Sequence, residues 1–107
     1  MVIYTKKLSS DTIKTFLENP LALIDVKAEW CGPCKQLSPI IDEVSYEAHD
    51  KVSVGVVDAD ENMDFCKEHN VRNIPTLLLF KNGELVERTV GMKSKKEILE
   101  MIEKHAQ

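Results

Sequence analysis

Long apolar runs are missing from this 107-residue chain. None approaches the roughly 20 residues that a membrane-spanning helix requires. Basic blocks are missing too, and the formal net charge is −4, which argues against binding nucleic acid or an anionic membrane surface. The first residues, Met1 to Lys7, lack a basic start followed by a long apolar stretch. No secretory signal is therefore expected, and the expected location is a reducing cytoplasm. Repeats, low-complexity tracts and linkers are also lacking, so one domain over residues 1–107 is expected. Histidines are few (three) and sit at no metal-ligand spacing. Cysteines are equally few: one close pair, Cys31 and Cys34, and the distant Cys66. A closed zinc site needs four ligands, commonly from two such pairs, so no metal is expected.

What the chain does have is regular patterning, with 43% apolar residues to build a core. Val2 to Thr5 is a short strand candidate. Ser9, Ser10 and Asp11 offer N-caps for a helix through Ile13, Phe16 and Leu17, and Asn19-Pro20 ends it. Leu21 to Ala28 reads as a central strand, apolar on both faces except at Asp25 and Lys27. A helix with Leu37, Ile40, Ile41 and Val44 on one face runs to about His49, with Pro39 inside it. Val52 to Val57 is a second buried strand, and Met63 to Asn70 is a short helix at best. Thr76 to Phe80 and Leu85 to Val90 flank Asn82-Gly83, a hairpin signal. Ser94 with Glu97 forms a capping box before Ile98, Leu99, Met101 and Ile102. The order β-α-β-α-β-α-β-β-α implies an α/β fold, with parallel strands from the alternation and an antiparallel pair from the hairpin.

The chemistry concentrates in Trp30-Cys31-Gly32-Pro33-Cys34-Lys35, where a strand hands over to a helix. A thiolate attacks a disulfide; a thiol does not. The free N–H groups and partial positive charge of a helix N-terminus favour an anion, so Cys31 should titrate below a free cysteine. At pKa about 8.5 a thiol is about 3% ionised at pH 7, and at pKa about 7 it is about half ionised. Falling nucleophilicity takes back about five-fold of that roughly fifteen-fold gain. The close second thiol matters more, because it makes resolution intramolecular. Gly32 allows a tight turn beside the sulfur, and Pro33 is acceptable only in a first helical turn.

The same six residues resemble the active-site signature of the thioredoxin family. The resemblance extends along the chain through Asp25, Pro39, Ile74-Pro75-Thr76, Phe80-Lys81-Asn82-Gly83 and Val90-Gly91. It implies a thioredoxin fold, with a central five-stranded mixed sheet flanked by four helices. It implies a protein-disulfide reductase that cycles between dithiol and disulfide through a mixed disulfide and maintains redox homeostasis. Cys31 would be the exposed nucleophile, Cys34 the more buried resolving thiol, and Asp25 the buried carboxylate that exchanges a proton with it. Pro75 would be cis and shape the docking groove, although X-Pro bonds taken alone favour trans. Trp30, Gly32, Pro33 and Lys35 would shape the site. Trp30, Ile74, Pro75, Thr76, Gly91 and Met92 would contact substrate, within an apolar patch that also includes Val90. No bound cofactor is implied, and NADPH would supply electrons through thioredoxin reductase. The partners would be that reductase and disulfide-containing proteins, met by a monomer.

Two positions depart from the family pattern. Val56 stands where a lysine often lies near the buried Asp, and Lys27 stands where an aromatic residue is common. Strand periodicity puts Lys27 on the Asp25 face, roughly 7 Å along. It either partly replaces the missing cation or is a solvated strand-end lysine. Cys66 is read as an inert, buried thiol, and Lys93 to Lys96 as a solvated helix start. An oxidant or isomerase on the same fold more often has a histidine between the cysteines, and usually an export signal. A rival of another class is a redox-regulated binding module or a subunit of a larger complex, which would not turn over disulfides.

Overall fold

The computed structural model describes residues 4–106. Five strands and four helices follow in the expected order: β1 (Lys6–Leu8), α1 (Ile13–Phe16), β2 (Leu21–Lys27), α2 (Gly32–Glu47), β3 (Ser53–Asp58), α3 (Met63–Glu68), β4 (Thr76–Lys81), β5 (Glu84–Val90) and α4 (Lys95–His105). They form one mixed sheet in the order β1-β3-β2-β4-β5.

The first strand lies later than the Val2–Thr5 expectation. Val2 and Ile3 fall outside the described residues, and Tyr4 and Thr5 are not strand. Both are drawn to α2 instead: the Tyr4 N–H donates to Ser45 Oγ (3.3 Å) and Thr5 Oγ1 to Asp42 Oδ1 (2.9 Å). The α1 N-cap is Thr12 rather than Ser9, Ser10 or Asp11, and its side chain caps nothing in the helix. Its Oγ1 accepts the Ser9 N–H instead, closing the preceding turn.

Alternation correctly implied that β1 and β2 run parallel to β3, but β4 runs antiparallel to β2. A parallel crossover must carry the chain back along the whole sheet. After α3 the chain re-enters the sheet at the end it left, with Thr76 beside Val26. The hairpin between β4 and β5 turns through Asn82 (φ 52°) and Gly83 (φ 85°), as its Asn-Gly implied.

Strand alternation divides the core. Leu21 and Leu23 of β2 and Leu77 and Leu79 of β4 pack on one face against Leu37, Ile41, Val44, Ile98 and Ile102. Ala22, Ile24, Val26, Leu78 and Phe80 pack on the other against Ile13, Phe16 and Phe65. Asp25 and Lys27 continue the Leu21–Leu23 series, so they share the face that α2 covers. The capping box of α4 is present, with Ser94 and Glu97 bonding reciprocally. Lys95 is more than a solvated residue: its ammonium bonds Glu47 of α2 at 2.7 Å. Among the described residues, no helix is long and apolar enough to cross a membrane.

Candidate active site

Cys31 is the N-cap of α2, with Pro33 in the first helical turn. The two cysteines form a disulfide, with Cα atoms 5.3 Å apart. The free N–H of Cys34 donates to Cys31 Sγ at 3.2 Å, so one orphan donor of the helix already points at the sulfur that should carry negative charge. The Lys35 N–H bonds the Cys31 carbonyl (3.3 Å), and the Cys31 N–H bonds Ala28 O (3.2 Å), fixing the turn.

Cys31 is less exposed than expected. It is 5% exposed and Cys34 1%, because Ala28 and Ile74 pack against the pair. The order of exposure is as anticipated, but both sulfurs sit below the surface while joined. The Ile74–Pro75 bond is cis, and the Ile74 carbonyl oxygen stands 3.9 Å from Cys31 Sγ. The Gly91 N–H donates to the Pro75 carbonyl (2.8 Å), and Val90 pairs with Thr76. The β4–β5 end is thereby held beside the cysteines.

Around this point Trp30, Gly32, Pro33, Lys35, Val90 and Met92 are exposed, while Pro75 is buried. Trp30 is 71% exposed, and its Nε1–H donates to Asp60 Oδ2 at 2.8 Å. Thr76 differs from expectation: the whole residue is buried, its side chain bonds the Asn73 carbonyl, and it lies between Val26 and Val90 in the sheet, so it offers a substrate little surface. Cys66 is half-buried and lines a groove with Trp30, Met63 and Ile74. Burial first, then Asp58 and Asp60, push its thiol above the usual range.

Asp25 is buried in the α2 face of the sheet, beside Val56 on β3 and Leu77 on β4. Its Oδ1 has no hydrogen-bond partner among the described residues. Burial raises its pKa from 3.8 to about 6; Lys27 opposes the rise and Asp42 adds to it. Lys27 is half-buried, not a freely solvated strand end. Its ammonium donates to Ser38 Oγ (3.2 Å), which donates to the Cys34 carbonyl (3.0 Å).

Asp60, Ser38 and Asp42 were not anticipated as site residues. Ser38 had a signal, since a helical serine often bonds the carbonyl four residues back. Asp60 and Asp42 had none, because only the fold brings them to Trp30 and Asp25. Among the described residues, no three His, Cys, Asp or Glu side chains cluster as metal ligands would.

Comparison with known proteins agrees with this geometry. The family model for thioredoxin matches residues 3–104. The chain is 51% identical over 89 residues to a thioredoxin of Rickettsia typhi, covering 82% of this chain and 85% of the relative. It is 42% identical over 85 residues to the thioredoxin of Bacillus subtilis, covering 79% and 82%. Among solved structures, a mutant thioredoxin from Halobacterium salinarum superposes with a TM-score of 0.91 at 29% identity, covering 100% of this chain and 96% of the other.

Proposed function

The chain belongs to the thioredoxin family, and from that premise we propose how its residues divide the work of protein-disulfide reduction. Thiol–disulfide exchange is the activity, and the Cys31–Cys34 pair is its redox centre. In the reduced protein Cys31 attacks a substrate disulfide as a thiolate. One substrate sulfur leaves and the other stays bonded to Cys31. Cys34 then gives its proton to Asp25 and attacks Cys31 Sγ. The Cys31–substrate bond breaks, the substrate leaves with both sulfurs reduced, and the Cys31–Cys34 disulfide remains.

One observation carries these roles: the Cys34 N–H directed at Cys31 Sγ from the first turn of α2. The donor stabilises the Cys31 thiolate, and the same turn keeps Cys34 within reach of it. The carboxyl of Asp25, raised to about 6, can exchange protons near neutrality. Trp30, Ile74, Pro75, Gly91 and Met92 form the docking surface, where an extended substrate backbone lies along Ile74. The pair needs no bound cofactor. Electrons come from NADPH through a thioredoxin reductase, and the protein works as a cytoplasmic monomer on disulfide-containing proteins.

Catalytic reduction of insulin disulfides with dithiothreitol tests this function. Turnover is expected, and stoichiometric reaction alone would reject it. Equilibration with glutathione then gives the reduction potential.

A further inference from the structure

We propose that Lys27 is a positioning residue of the resolving step. Its ammonium, tethered through Ser38 to the Cys34 carbonyl, is the cation against which the Asp25 carboxylate and the nascent Cys34 thiolate are balanced. The proposal rests on the reading of Asp25 as proton acceptor and extends it to a residue outside the cysteine motif.

Three features of the fold bring these groups together. Strand alternation turns Asp25 and Lys27 to the face covered by α2. Ser38 lies one helical turn after Cys34, so its hydroxyl reaches the Cys34 carbonyl at 3.0 Å while accepting the Lys27 ammonium at 3.2 Å. Lys27, Cys34 and Ser38 line one cleft with Val56, and Lys7, Glu29, Lys35 and Asp58 supply its other charges. The ammonium is thus held at the foot of the resolving cysteine's turn rather than released to water.

The groups facing Asp25 from the surrounding elements give Lys27 its weight. The neighbouring strands present Val56 and Leu77, which carry no charge. Helix α2 presents Asp42, whose like charge disfavours ionisation of Asp25. Lys27 is the cation that acts in the opposite sense. Asp58, paired with Lys27 across the strands, has its Oδ1 committed to the N–H groups of Asp60 (2.8 Å) and Glu61 (3.2 Å). In the resolving step a proton passes from Cys34 Sγ to the Asp25 carboxylate while the sulfur's electron pair goes to Cys31 Sγ. A nearby cation keeps the carboxylate ionised before the transfer and stabilises the thiolate during it.

The test is a Lys27→Met variant, read by carboxyl NMR titration of Asp25 and by the pH profile of mixed-disulfide resolution. The Asp25 midpoint is expected to rise by about one pH unit. With that rise, resolution slows about twofold at pH 7 and about fivefold at pH 6. Lys27→Arg is expected to restore both readouts, and Ser38→Ala to move them in the Met direction by less. An unmoved midpoint in folded Lys27→Met protein overturns the proposal. Should that variant not fold, an unmoved midpoint in Ser38→Ala overturns it instead. Asp25→Asn keeps the two ideas separable. A pH limb that survives in Asp25→Asn rejects Asp25 as proton acceptor, whereas a lost limb with an unmoved Lys27→Met midpoint rejects only the role of Lys27.

Discussion

The Cys34 backbone N–H donates to Cys31 Sγ across 3.2 Å. The residue that would resolve the mixed disulfide thus also stabilises the sulfur that would form it, through a backbone group that substitution of its side chain leaves intact. Cys34→Ser should therefore keep a reactive Cys31 and stop at the mixed disulfide, which mass spectrometry detects as a stable adduct with a substrate peptide. Cys31→Ser should form no such adduct. If the Cys31→Ser variant forms the adduct and Cys34→Ser does not, the two roles are reversed.

Asp25 predicts a pH-dependent stability of definite sign. Its pKa is about 6 in the folded protein against an ordinary 3.8. Well below pH 3.8 the carboxyl is protonated in both folded and unfolded states, and its contribution to stability is fully present. As pH rises from about 4 through about 6 the unfolded chain ionises first, so stability falls, by about 3 kcal/mol in all. Above that window the loss is constant. Asp25→Asn removes the titration and is expected to be more stable than the parent at pH 7, by less than that figure where the buried amide lacks partners. Urea denaturation at pH 4, 5 and 7 measures this, and a parent–variant difference independent of pH would contradict it.

Gly91 sits at φ 88°, with open space where a Cβ would go. Alanine there meets strain rather than a clash, about 1–2 kcal/mol. Relaxing that strain would loosen the Gly91 N–H bond to the Pro75 carbonyl, now 2.8 Å. Gly91→Ala is expected to lower the melting temperature by several degrees and to raise KM for protein disulfides. Small dithiols should be affected much less. An unchanged KM would remove Gly91 from the docking surface.

Gly55 of β3 tests the fold rather than the site. A Cβ there would lie 2.5 Å from Leu8 Cδ1, 3.0 Å from Leu8 Cγ and 3.1 Å from Phe16 Cε2. Both neighbours are buried, so neither side chain can swing aside freely. Gly55→Ala should cost about 1–3 kcal/mol by overpacking the β1–α1 side while leaving the redox centre competent. A thermal melt within a degree of the parent would show that β1 yields easily.

Whatever depends on neighbours along the chain was legible from the residues alone. The strand-to-helix junction at Cys31–Cys34, the Asn82-Gly83 hairpin and the Ser94–Glu97 capping box each follow from backbone rules that act over a few residues. The resemblance carried by Trp30 to Lys35 and Ile74-Pro75-Thr76 supplied the cis bond before Pro75. What lies across space was settled by the folded sheet and the helices packed on it. The end at which the chain re-entered the sheet after α3 made β4 antiparallel. The β2–β3 register set uncharged Val56 beside Asp25, and the packing of α2 brought Asp42 and Ser38 to that face. Trp30 met Asp60 from 30 residues away. The difference is one of range. Propensities and caps are local energies, whereas burial and charge–charge coupling depend on which distant groups the folded sheet brings within a few ångströms.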